Sequence, residues 1–277
     1  MTRASVPRID WRQQVSALEP FLVDRGGVVR ILVSEDSPAS TFSKLIRQLM
    51  RDGSWSRTWT SVQIDPRNAN THYLSDLLEQ LKRSLKLEDD PAADTGTVTV
   101  GSNIHANNVD ISKVEVNLQE VESVSRWRKR LEHVADGIED RLQTQRICLI
   151  FLNSHTYDES TLSQIRSGLW DERLAAMVDA GLLLVDISDS ARCGPDWPPD
   201  PDLVLELPER FDDGSRADAQ ADLADIALRE GIADAENTAE MFAMTLLQSS
   251  DKVRDLYANL ARLQATQAGS TIRSGPA

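Results

Sequence analysis

The residues best placed to do chemistry follow a short, β-branched apolar run. Val28–Val33 reads VVRILV, and Ser34-Glu35-Asp36-Ser37-Pro38-Ala39-Ser40-Thr41-Phe42-Ser43-Lys44 comes next, leading into an amphipathic stretch that ends near Met50. Strand, polar turn and helix in this order are the setting of a phosphate-binding turn with the pattern G-x-x-x-x-G-K-[ST]. In such a turn the glycines let backbone N–H groups wrap the phosphates. The lysine reaches the β and γ oxygens, and the hydroxyl holds magnesium. Anchoring the pattern on the helix start puts Asp36 and Thr41 at the glycine positions, Phe42 at the lysine position and Ser43 at the hydroxyl position. Only the hydroxyl is kept, and Ser37 and Ser40 fill the rest of a vestigial turn.

The charge balance of that turn opposes a nucleotide. Glu35 and Asp36 put negative charge where a triphosphate would bring more. At an effective dielectric of about 20, two like charges 4 Å apart repel by roughly 4 kcal/mol. Lys44 does not replace the lost lysine, because on a helix it points about 100° away from Ser43.

The metal side of such a site needs an apolar strand ending in an acid. Ile147–Leu152 (ICLIFL) supplies the strand, but Asn153 and Ser154 follow it, and an amide is a poorer magnesium ligand than a carboxylate. Asn153 is therefore a vestigial acid position. Asp186, after Leu182–Val185, has the local look of the missing acid but lies on a later strand. Ser154, His155 and Asp158 sit within five residues. A working Ser-His-Asp triad is assembled from distant segments, so this run reads as a loop. The histidines at 72, 105, 133 and 155 are scattered and no C-x-x-C occurs, so the sequence gives no metal site.

The elements that must position these residues alternate in type. Apolar runs at 28–33, 60–64, 147–152, 181–187 and 203–207 read as buried strands. Helical periodicity covers 11–23, 42–50, 73–85, 124–142, 161–179, 215–229, 235–247 and 251–264. Strands alternating with helices imply a mainly parallel sheet covered on both faces, with ligands at the carboxyl ends of its strands. Between 95 and 118 the pattern changes: Val98, Val100, Ile104, Val109, Ile111, Val114, Val116 and Leu118 alternate among asparagines. That segment reads as a β-rich insert, either a hairpin packed on the domain or an exposed edge for self-association. The domain reading is an α/β core over 1–210, a helical lid-like subdomain over 211–267 and a flexible tail over 268–277. Trp197, in the proline-rich GPDWPPDPD link, is the tryptophan to test at an interface.

Composition narrows the function classes. The 277 residues carry 44 acidic against 30 basic side chains, a net charge of −14. Such a surface repels phosphate backbones and anionic lipids, which argues against direct nucleic-acid or membrane binding. The densest basic run, Arg126, Arg128, Lys129 and Arg130, reads as a solvated helix face. The N-terminus has no apolar signal segment and no run has the roughly 18 apolar residues of a membrane helix, so the expected location is cytoplasmic.

On residues 28–50, 146–154 (RICLIFLNS), 181–188 (GLLLVDIS) and 203–208 (LVLELP), the chain resembles the STAND group of P-loop NTPases, and more closely its inactive STAND-type domains of bacterial conflict systems. The C-terminal helix over 249–263 resembles the family's last helix, with Ser250-Asp251 in place of the usual Gly-x-Pro entry. The resemblance implies a five-stranded, mainly parallel sheet of P-loop NTPase type covered by helices. It also implies a nucleotide-independent, non-catalytic signalling or adaptor module with no cofactor, working with an effector or protease partner encoded nearby. Two other readings stay open: a divergent ATPase or GTPase using Ser43, Asp186 and Arg192, and an oligomeric scaffold organised by the insert.

Overall fold

The computed structural model describes residues 9, 11–23, 25–34, 37–53, 57–65, 74–87, 129–157, 159–189, 191–192, 197–198, 200–211, 213–250 and 252–273. The β-rich reading of 95–118, the acids Glu35 and Asp36, Asp158, His72, His105, and the basic residues Arg126 and Arg128 lie outside them.

Five strands form at the apolar runs: β1 (Gly27–Val33), β2 (Trp59–Ile64), β3 (Arg146–Leu152), β4 (Leu182–Asp189) and β5 (Leu203–Glu206). They make one sheet in the order β2-β3-β4-β1-β5, and every pairing is parallel. The central strands β3 and β4 are buried along almost their whole length, as continuous apolar runs in a parallel sheet require. Edge strand β5 alternates half-buried and exposed positions.

The helices are α1 (Arg12–Val23), α2 (Ala39–Asp52), α3 (Leu74–Leu85), α4 (129–142), α5 (Glu159–Ile165), α6 (Asp213–Arg229), α7 (Glu236–Gln248) and α8 (Val253–Arg273). Strand side chains alternate between faces, and this splits the core in two. Val29, Ile31, Cys148, Ile150, Val185 and Ile187 pack with α1, α2, α6, α7 and α8. Ile147, Leu149, Phe151, Leu182 and Leu184 pack with α3, α4 and α5. The helices after residue 211 thus share a core with one face of the sheet.

Two helical expectations change. The helix read over 161–179 is α only to Ile165. It then widens to a π-helix over Arg166–Leu174 and tightens to a 3₁₀ turn over Ala175–Met177. The buried residues Ile165, Leu169, Trp170 and Leu174 recur every four to five positions, a spacing that suits i→i+5 turns. The tail read as frayed from Ala268 is helical to Arg273. Ala265, Gln267 and Ala268 are good helix formers, enough to carry one glycine that costs about 1 kcal/mol.

The start of β1 shows one position where only glycine fits. A Cβ on Gly26 would lie 2.1 Å from the Leu182 carbonyl oxygen, so a side chain there would push β1 off β4.

Candidate functional site

A cleft of about 440 Å³ opens at the carboxyl ends of β1, β3 and β4, where a parallel sheet presents its ligand crevice. One wall is the turn after β1, with Ser34, Ser37, Ser40 and Thr41. The strand tips contribute Asn153, His155, Asp189 and Arg192, and α8 closes the third side with Arg254 and Tyr257.

The turn spends its own amides. α2 begins at Ala39, three residues before the expected Phe42, so Ser40, Thr41 and Ser43 lie in its first turns. Pro38, with φ −83°, sits just before the helix and accepts from the amides of Thr41 and Phe42, both at 3.0 Å. The Ser37 amide donates to the Ser34 carbonyl at 3.1 Å, and the Ala39 amide to the Ser37 carbonyl at 2.9 Å. The Ser34 amide donates to Ser37 Oγ at 3.2 Å, and that hydroxyl donates to the Leu207 carbonyl at 3.3 Å. An anion-binding turn works by leaving such N–H groups aimed at its ligand. These amides are aimed at the chain itself.

The two motif side chains also turn inward. Phe42, at the lysine position, is 0% exposed and meets the Trp11 ring edge-on at 5.0 Å. Ser43 is equally buried, and its hydroxyl donates to the Ser40 carbonyl at 2.9 Å and lies 3.3 Å from Gln63 Oε1. Lys44 is exposed, on the outer side of the helix.

Asn153 has a structural job at the tip of β3. It holds a left-handed backbone (φ 56°), a conformation asparagine tolerates better than most residues. Its Nδ2 donates to Asp65 Oδ1 at 3.2 Å, tying the ends of β3 and β2 together. Asp65 is buried, and it lies just past the apolar run at 60–64.

Asp186 is fully buried on the opposite sheet face from α2, in register with Arg30 and Phe151. Burial pushes its carboxyl up to about 6 from an ordinary 3.8, although Ser154, Ser188, Arg30 and Trp197 pull the other way. Ser188 Oγ donates to Asp186 Oδ2 at 2.7 Å. Trp197 covers this region. It is 3% exposed, lies edge-on to Phe151 at 5.1 Å, and its carbonyl accepts from the Arg30 guanidinium. The tryptophan singled out for testing at an interface thus has an apolar partner within the fold and is buried there.

The local Ser-His run does not align as a triad. Ser154 is buried beside Asp186, while His155 Nδ1 accepts from the Asp189 amide at 3.2 Å. Arg192 forms an ion pair with Asp189 at 3.7 Å, largely in solvent. Arg254 and Tyr257 were not singled out by sequence, since a cation and a ring in one helix carry no signature. Among the described residues no group of three His, Cys, Asp or Glu is placed to hold a metal. Among them, too, no helix is long and apolar enough to cross a membrane.

No protein-family model matches the chain, and no curated protein matches it. Several solved structures are similar to it at low identity. Drosophila ORC bound to DNA matches at 12% identity over 88% of this chain and 57% of that one, with a TM-score of 0.49. Cdc6p from Pyrobaculum aerophilum matches at 13% identity over 88% and 56%, with a TM-score of 0.45. The ADP form of Aeropyrum pernix ORC2 matches at 14% identity over 96% and 63%, with a TM-score of 0.47. The chain spans less than two thirds of each of these proteins, and at such identities no shared ligand or activity follows. The architecture is the expected one, a five-stranded parallel sheet covered by helices.

Proposed function

We propose that this chain is a non-catalytic signalling or adaptor module with a degenerate nucleotide site, acting through protein–protein contacts. One observation carries the reading. Five amides of the turn after β1, those of Ser34, Ser37, Ala39, Thr41 and Phe42, bond within the chain, and a buried phenylalanine stands where a phosphate-binding lysine would be. A loop in that state gains nothing from a triphosphate and would have to break its own bonds to accept one. On the family resemblance, the module is of the inactive STAND type. It serves in the cytoplasm in a bacterial antiviral or conflict system, and its partner is an effector or protease encoded nearby.

Thermal unfolding with and without millimolar Mg-ATP tests the first half. A ligand at 100 times its Kd stabilises by about 2.7 kcal/mol, so the reading expects no change in Tm, and a rise of several degrees overturns it. Co-purification with products of the adjacent genes tests the second half.

A divergent ATPase or GTPase is the second reading, and one observation favours it. Arg192 and Arg254 both line the cleft and would meet an anion from two sides. It expects Mg-ATP stabilisation that Arg254→Ala abolishes. Scaffolding through 95–118 is a third reading, tested by light scattering of a chain lacking those residues.

A further inference from the structure

Away from the strand-end cleft, α6 and α7 lie side by side. Arg216, Ala217 and Gln220 near the start of α6 border Met244, Leu247 and Gln248 at the end of α7, around a groove of about 380 Å³. At the other end of the pair, Ala227 of α6 packs with Ala239 of α7. The two helices therefore run antiparallel, with the groove along their outer seam.

This outer side is apolar where a solvent-facing helix surface is ordinarily polar. Five large apolar side chains are exposed among the described residues, and three of them, Leu228, Met241 and Met244, stand on this pair. Met241 is 61% exposed and Met244 46%. Along α6, Ala217, Ala221, Ala224 and Leu228 follow helical spacing and so form one stripe. Along α7, Glu236, Glu240, Met244 and Leu247 do the same, so that ridge passes from two carboxylates to two apolar side chains. Both glutamates are exposed, and neither has an ion pair among the described residues. Alanines on one wall let another backbone come close, and methionines on the other adapt to the shape of what they meet. Two such ridges suit a third helix laid between them with its apolar face down.

We propose that the α6–α7 groove docks an amphipathic helix of a partner protein, apolar on one face and rich in lysine or arginine along its edges. Charge selects this occupant. Glu236 and Glu240 stand along the groove-side ridge, and the whole chain carries −14. A second copy would bring like charge to like, whereas a basic helix is attracted and oriented. The cation that lines the groove, Arg216, is engaged within the fold, where its Nη2 donates to the Leu247 carbonyl at 3.1 Å. The inference rests on the reading of this chain as a module that works through protein contacts, and it gives that contact a place and a chemistry.

A fluorescent amphipathic peptide of leucine and lysine, titrated with the full chain and followed by anisotropy, tests it. This peptide is expected to bind, and a leucine–glutamate peptide of the same apolar pattern is not. Met241→Gln with Met244→Gln keeps the charge and is expected to weaken binding about tenfold or more. Glu236→Gln with Glu240→Gln is expected to weaken it about threefold and to reduce its salt dependence. Asp140→Asn with Glu172→Gln removes as much charge from elements packed on the other face of the sheet, and is expected to leave binding unchanged. Failure of the wild type to bind the basic peptide, binding of the acidic one, or equal weakening by the Asp140 and Glu172 pair would each overturn the site. A dimer seen by light scattering that the methionine pair dissolves would make the groove an interface between copies, and would overturn it too. A neighbouring-gene product that co-purifies equally with the wild type and the methionine variant removes the groove and leaves the adaptor reading standing. If no such product co-purifies with the wild type, the adaptor reading is what fails, and the peptide titration still decides the groove.

Discussion

The ends of β1 and β4 treat charge in opposite ways. After β1, the position of a functional cation is taken by Phe42, and the surrounding amides close on the chain's own carbonyls. Along β4 an acid is present, Asp186, and it is buried under Trp197 beside Arg30 and Ser188. One end presents a buried ring and the other a buried carboxyl. On the proposed reading, a ligand site is retired either by changing the side chain or by changing its surroundings, and only the first kind is written in the motif itself.

The most damaging way to probe the contrast is to restore the motif at the first site. Phe42→Lys would place an ammonium in the Trp11 pocket and remove a buried ring. It is expected to cost about 4 kcal/mol or more in urea unfolding. It should not create Mg-ATP binding, since the turn's amides remain engaged. Recovery of nucleotide binding would mean that the side chain alone had retired the site.

The second site should announce itself through pH. The Asp186 carboxyl binds its proton more tightly in the folded chain, about 6 against an ordinary 3.8. Its contribution to stability is therefore complete below about pH 4 and is lost as the pH rises through about 6. That difference corresponds to roughly 3 kcal/mol. Urea unfolding between pH 4.5 and 8 should show the wild type gaining on Asp186→Asn as the pH falls. Parallel curves would mean that the carboxyl is not buried as described.

Asn153→Ala separates backbone from side-chain roles at the tip of β3. Losing the bond to Asp65 and forcing alanine to φ 56° should cost about 2 kcal/mol by chemical unfolding. Asn153→Gly should recover part of that cost, because glycine relieves the backbone strain. The smallest effect belongs to the turn. Ser37→Ala removes the hydroxyl that serves Ser34 and Leu207 and should cost about 1 kcal/mol. It should still leave Mg-ATP without effect on Tm.

How much of the site could be read from the chain differs residue by residue. The five strands were legible because β-branched apolar runs bounded by turns are a local signal. The absence of lysine and glycine from Ser34 to Ser43 needs no fold to be seen. The early start of α2 was not legible, because Pro38 among Ser37, Ala39, Ser40 and Thr41 fits a loop as well as a helix start. Nor was the widening after Ile165, since its apolar spacing can be drawn on either kind of turn. The burial of Trp197 was not legible from its proline and aspartate neighbours, because its partner Phe151 lies 46 positions away.

By itself, then, the sequence determined which segments become strands and helices and that the phosphate-binding residue types are missing. Both follow from neighbours along the chain, where periodicity and residue type act directly. Only the tertiary structure decided that Phe42 faces Trp11, that Asn153 holds Asp65, that Asp186 is sealed, and that α8 carries Arg254 and Tyr257 to the cleft. Those outcomes depend on which distant surfaces meet when the apolar faces are buried. Burial rewards total packing and leaves no mark on the order of residues in any one segment.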